Sequence, residues 1–203
     1  AEYGQLGDGS LGGDTVKTTP VAVQGLSDAK SVAAGLQHSC ALKSDGTVVC
    51  WGDNKNGQIG NGTKSASLSP QKVKGLSDVL AIDAGDQHTC ALIKKGAVWC
   101  WGYNESGQLG NGKNGNNEVE TSPIAVYGLT DATAIATGHD HTCALRSDGS
   151  TVCWGWNESG ALGNGNEDHK DTPTTVKPTI ASKCPQGGAT TCDDQNICTT
   201  DTC

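Results

Sequence analysis

The side chains with most chemistry to offer are ten cysteines in 203 residues. Spacing decides whether thiols ligate metal, act as nucleophiles or pair. Six fall into three pairs, each ten positions apart around a glycine-containing turn: Cys40 with Cys50, Cys90 with Cys100, and Cys143 with Cys153. His38, His88 and His141 each stand two residues ahead of a pair, but two sulfurs at that spacing lack the Cys-x-x-Cys knuckle of zinc sites. A hairpin explains the spacing better. If Lys43 pairs with Thr47 across Ser44-Asp45-Gly46, Cys40 faces Cys50 in the register of a cross-strand disulfide. Closing so short a loop stabilises by about 2–3 kcal/mol. The other four cysteines, Cys184, Cys192, Cys198 and Cys203, crowd the last twenty residues, and their connectivity stays open. Asp193, Asp194, Asn196 and Asp201 there carry oxygens that suit calcium, but the pattern is not an EF-hand loop and reads as a solvated linker. There is no His-Glu-x-x-His, no Gly-x-Ser-x-Gly and no phosphate loop. No catalytic residue and no cofactor is implied.

The cysteine pairs belong to a longer repeat. HSCALKSDGTVVCWG at His38 returns as HTCALIKKGAVWCWG at His88 and HTCALRSDGSTVCWG at His141, with Trp51, Trp101 and Trp154 separated by 50 and 53 residues. Each Trp-Gly leads through an asparagine-containing turn to GQIGNG, GQLGNG or GALGNG, and then to a segment with Pro70, Pro123 or Pro173. The N-terminus, with its EYGQLGDGS and Pro20, fits the second half of a unit alone. Composition agrees with short strands: 29 glycines, neither Phe nor Met, and hydrophobic residues at 34% leave Val, Leu, Ile, Ala and Trp to form the core. No segment has a helical period. The reading is all-β, with about four strands per unit stacked as the small sheets of a β-propeller.

Gly-x-x-His, Ala-Leu, a glycine turn, Trp-Gly and Gly-Gln-Leu-Gly, recurring in register, resemble the regulator-of-chromosome-condensation repeat. The resemblance covers residues 1 to about 178. It implies propeller blades of four strands, in a family whose rings are typically seven-bladed, which at about 50 residues each need roughly 350 residues. About three and a half blades are expected here, as a partial or open propeller. The units fall at 1–29, 30–79, 80–132 and 133–180, followed by a small disulfide-rich module at 181–203 that resembles short cysteine-rich repeats of bacterial surface proteins. Either the chain is part of a longer propeller or it is an open arc whose sheet edges pair with other copies.

Repeated histidines and tryptophans read as blade packing, and Trp99, on the face of Trp101, packs likewise. Positions where the repeats disagree are the candidates for contact. They are the pairs before each histidine, Leu36-Gln37, Asp86-Gln87 and His139-Asp140, and the residues after Trp-Gly, Asp53, Tyr103 and Trp156. In the resembled family these loops lie toward one face of the ring, so they imply a partner-binding surface, with Tyr103 and Trp156 as exposed aromatic anchors. The family's photoreceptor variant carries Trp where this chain has Leu36, Asp86 and His139, so light sensing is not implied. A formal charge of −8 repels a phosphate backbone, and no stretch approaches a membrane span. Asn61, Asn104 and Asn157 match the glycan-acceptor pattern but stand in the repeat's own turns. The expectation is a non-enzymatic extracellular or cell-surface module that recognises a protein or glycan, or alternatively a self-assembling subunit of a filament or surface layer.

Overall fold

A computed structural model describes residues 2–10, 17–115 and 118–177, so the four C-terminal cysteines and the acidic residues among them lie outside the described residues. Three successive stretches fold alike. β1 (Ala29–Ala34), β2 (His38–Lys43), β3 (Val48–Gly52) and β4 (Ser67–Lys72) form one four-stranded sheet in chain order. β5 (Val79–Ala84), β6 (His88–Ile93), β7 (Val98–Tyr103) and β8 (Val119–Ala125) form the second, and β9 (Ala132–Thr137), β10 (His141–Arg146), β11 (Thr151–Gly155) and β12 (Lys170–Thr175) the third. Every neighbour is antiparallel. The first strands of the blades, β1, β5 and β9, lie side by side, and β4, β8 and β12 are the opposite edges. The prolines sit inside those edge strands, a little further along than a strand-starting role would place them. An edge strand tolerates the missing N–H that a central strand cannot.

The hairpin register follows the turn. The Lys43 N–H donates to the Thr47 carbonyl at 2.8 Å, and Cys40 pairs with Cys50, Cys90 with Cys100, and Cys143 with Cys153. All three pairs are disulfides with Cα atoms 4.0–4.1 Å apart. In the first and third hairpins an aspartate closes the turn, Asp45 Oδ1 accepting from the Thr47 N–H and Asp148 Oδ1 from the Ser150 N–H. The second has Lys-Lys-Gly and a 3-10 turn at Lys94–Gly96 instead.

No blade has a core of its own. Cys40, Leu42, Val48, Ile59 and Val73 of the first blade bury against Ile82, Ala91 and Trp101 of the second. Leu92, Val98, Leu109 and Val126 of the second bury against Ala144, Val152 and Trp154 of the third. Apolar side chains leave water only when a neighbouring blade is present, which is the physical reason such units stack. Two glycines of the motif are fixed by this packing. A Cβ on Gly85 would stand 2.2 Å from His88 Cε1 and 2.5 Å from the Gly138 carbonyl oxygen of the next blade. Gly102, after the tryptophan, has φ +106° and would put a Cβ 2.5 Å from the Gln87 carbonyl.

Candidate functional site

The two sets of variable positions meet at one end of the blades. Asp53 N–H donates to the Gln37 carbonyl at 2.8 Å, Tyr103 N–H to that of Gln87 at 2.9 Å, and Trp156 N–H to that of Asp140 at 2.8 Å. Further bonds link these loops from blade to blade. The Leu36 N–H donates to the Asp86 carbonyl at 3.2 Å, and the Asp86 N–H to the His139 carbonyl at 3.1 Å. Leu36, Gln37, Asp53, Asp86, Gln87, Tyr103, His139, Asp140 and Trp156 therefore form one continuous rim, opposite the hairpin turns.

Within the rim their availability differs. Asp53, expected as a contact residue, is buried at 5% exposure: its carboxylate accepts from Gln58 Nε2 at 3.0 Å and lies 3.8 Å from Lys55 Nζ. A carboxylate so engaged shapes the loop more than it meets a partner. Tyr103 and Trp156 are half-buried rather than exposed, because the strand ends hold their backbones against the pre-histidine loops. Trp156 leans on His169, ring centroids 6.4 Å apart, and with His139, Asp140, His141 and Ala161 lines a cavity of about 400 Å³. His139 projects furthest. Its Nε2 is 2.9 Å from Asp86 Oδ2 and its Nδ1 2.7 Å from Asp140 Oδ2, so one imidazole bridges carboxylates of the second and third blades. Gln108 Nε2 donates to the other Asp140 oxygen at 3.0 Å, and Asn56 Nδ2 donates to Gln87 Oε1. Gln108, Asn56 and His169 escaped the sequence reading. The recurring glutamine of Gly-Gln-x-Gly was the available signal for the first, whereas His169 has no counterpart in the other units.

Two of the repeated histidines, His38 and His88, lie behind the rim, in the blade interfaces. Thr89 Oγ1 donates to the Gln58 carbonyl at 3.1 Å, which leaves its lone pairs to accept from His38 Nε2 at 2.8 Å. Thr142, Gln108 and His88 repeat the arrangement at 3.0 Å and 3.0 Å. The proton thus sits on Nε2, and Nδ1 of both histidines has no partner among the described residues. Burial pushes His38 down to about 4 and His88 to about 3, the latter aided by its histidine neighbours. His141 is also lowered by its partial burial, with the Asp140 carboxylate opposing the shift. Trp101 and Trp154 donate their indole N–H groups to the same Gln58 and Gln108 carbonyls, each at 2.9 Å. Asn104 and Asn157 are fully buried with amide nitrogens donating to turn carbonyls, which withholds them from glycan transfer in the folded chain. Among the described residues no three His, Cys, Asp or Glu side chains converge as a metal site, and no helix is long and apolar enough to cross a membrane.

Four-stranded antiparallel blades, joined side by side through shared hydrophobic seams, define the chain as β-propeller. A sequence model of the RCC1-like domain matches residues 1–192, and the chain belongs to that family. The ultraviolet-B receptor UVR8 of Arabidopsis thaliana is 33% identical over 178 residues, 87% of this chain and 40% of the receptor. Protein pim1 of Schizosaccharomyces pombe is 32% identical over 80% of this chain and 23% of its own length. Yeast RCC1 (Prp20), solved bound to Kap60, superposes with a TM-score of 0.74 at 25% identity, covering 88% of this chain and 44% of that one. The chain thus spans less than half the length of each of these relatives.

Proposed function

We propose that the rim at the pre-histidine ends of the blades is a recognition surface for a protein partner, and that the chain works by binding, without catalysis, outside the cell or at its surface. The observation that carries this reading is the fusion of both sets of variable positions into one hydrogen-bonded rim, on a scaffold whose repeated residues are spent in the seams between blades. The rim combines an exposed Leu36, the half-buried Tyr103 and Trp156 rings and the Asp86–His139–Asp140 bridge, a mixture of apolar anchor and fixed charge that suits a protein surface. That yeast RCC1 was solved bound to Kap60 supports a protein as the class of partner. Three hairpin disulfides support an oxidising compartment.

The test is site-specific photo-crosslinking with the cell-surface and secreted proteins of the native organism. A benzoylphenylalanine replacing Tyr103 or Trp156 is expected to give one discrete adduct, lost in an Asp86→Lys background. The same probe replacing Asp148, in the hairpin turn at the opposite end, should give none. Adducts equally abundant from both ends, or none from the rim, would sink the proposal.

A further inference from the structure

The third repeat departs from the other two at three places, and the departures meet. Trp156 stands where they carry Asp53 and Tyr103, His139-Asp140 where they carry Leu36-Gln37 and Asp86-Gln87, and Ala161 where they carry Gln58 and Gln108. The last change removes a plug. Gln58 and Gln108 are fully buried. Their side-chain oxygens accept from the N–H groups of Asn56 and Ser106 at 3.0 Å, and their amides donate to Asp53 and Asp140 at 3.0 Å. Alanine has no amide, so the Ser159 N–H, in the place of those of Asn56 and Ser106, loses that acceptor. The space beside Trp156 is instead the cavity of about 400 Å³ lined by His139, Asp140, His141, Trp156 and Ala161. The opening comes from the third blade's own residue 161, and nothing that follows that blade restores the amide.

The cavity has an aromatic wall in an acidic setting. Trp156 is half-buried and backed by His169, whose Nδ1 accepts from the Asn157 N–H at 3.1 Å and so holds that ring against the indole. Asp140 accepts from Gln108 on one oxygen and faces His139 Nδ1 with the other, and each oxygen keeps a second lone pair. Residues 139–140 and 156–170 carry four carboxylates, on Asp140, Glu158, Glu167 and Asp168, against one ammonium, on Lys170, which lies 3.5 Å from Asp168. An anion is repelled here, and an apolar group would desolvate Asp140 without adding a partner for it. A planar cation meets both demands, because it stacks on the indole and occupies the carboxylate lone pairs.

We infer that this cavity takes an arginine side chain of the partner protein, its guanidinium lying on the Trp156 ring and donating to the Asp140 carboxylate. The inference rests on the rim being the recognition surface and names the anchor that the partner brings to it. Arginine is favoured over lysine by shape, since its flat fork matches the indole face and a carboxylate edge together. The first two blades keep a buried glutamine where the third has Ala161, so the anchor falls on the third blade.

The probe is N-acetyl-arginine methylamide, titrated into the full chain while the tryptophan indole N–H signals are followed by NMR. One of the five, assigned by its loss in Trp156→Phe, should shift saturably with a Kd on the order of 1 mM, the range of a single anchored side chain. The citrulline analogue keeps the plane and loses the charge, and should bind about tenfold more weakly or worse. Ala161→Gln returns the residue of the other blades, and should abolish binding while the other four indole signals stay in place. Asp140→Asn should weaken binding on the order of tenfold. Equal binding of the citrulline analogue or of N-acetyl-leucine methylamide, or unchanged binding to Ala161→Gln, overturns the inference. The probe needs no partner, so the result is separate from the crosslinking. Rim adducts without arginine binding strike this inference alone, whereas arginine binding without adducts leaves the preference of the cavity standing and strikes the rim reading.

Discussion

His38 and His88 are neutral donors locked between blades, and their burial makes stability depend on pH. Both pKa values lie below the ordinary 6.5, so between 6.5 and the folded value the unfolded chain binds more protons. Stability is complete above about pH 6.5 and falls as the pH drops toward about 4 for His38 and about 3 for His88. Each histidine removes about 1.4 kcal/mol per pH unit across its window. Urea unfolding of the wild type between pH 7 and 4 should show this slope, and His88→Gln, which keeps a donor for Thr142, should flatten it. An unchanged slope in His88→Gln would place the acid sensitivity elsewhere. At the rim, Asp86→Asn should leave the fold intact but loosen His139, which a rise in the exchange rate of the 138–140 loop would report; the two carboxylates on its ring nitrogens are its only side-chain anchors among the described residues.

The hairpins are the elements whose geometry could be read from the chain. A three-residue turn between Lys43 and Thr47 fixes Cys40 opposite Cys50, because side chains alternate strictly along paired strands. Replacing Cys90 and Cys100 together with serine should cost about 2–3 kcal/mol, seen as a lower denaturation midpoint, since the constraint lost is a short loop. Trp101→Ala should cost more, about 3–5 kcal/mol, because it empties the seam between two blades. Less legible was which variable residues stay accessible. Asp53 and Tyr103 share one repeat position, yet Gln58 and Lys55 draw Asp53 inward, whereas the matching Gln108 donates to Asp140 instead and Glu105 stands where Lys55 does. The Asp86–His139–Asp140 bridge was likewise hidden, because it joins residues 53 positions apart that only blade stacking brings together.

At the scale of the whole molecule, stability is a sum over seams, so one repeat position should carry different energies along the arc. Leu42, Leu92 and Leu145 are equivalent by sequence, each following Ala in the Cys-Ala-Leu of its hairpin. Leu42 and Leu92 are 1% and 4% exposed beneath the following blade, whereas Leu145 is 42% exposed on the outer side of the third. Truncation of a buried leucine loses its transfer energy and leaves a cavity, so Leu42→Ala and Leu92→Ala should each cost about 2–5 kcal/mol. Leu145→Ala loses little burial and leaves no cavity, and should fall within about 1 kcal/mol of wild type. Denaturant unfolding of the three variants at low protein concentration measures this directly. Three equal costs would mean that the outer side of the third blade is covered in solution, and repeating the series at higher concentration would show whether the cover is another copy: the Leu145 cost would then grow with concentration while the other two stayed fixed.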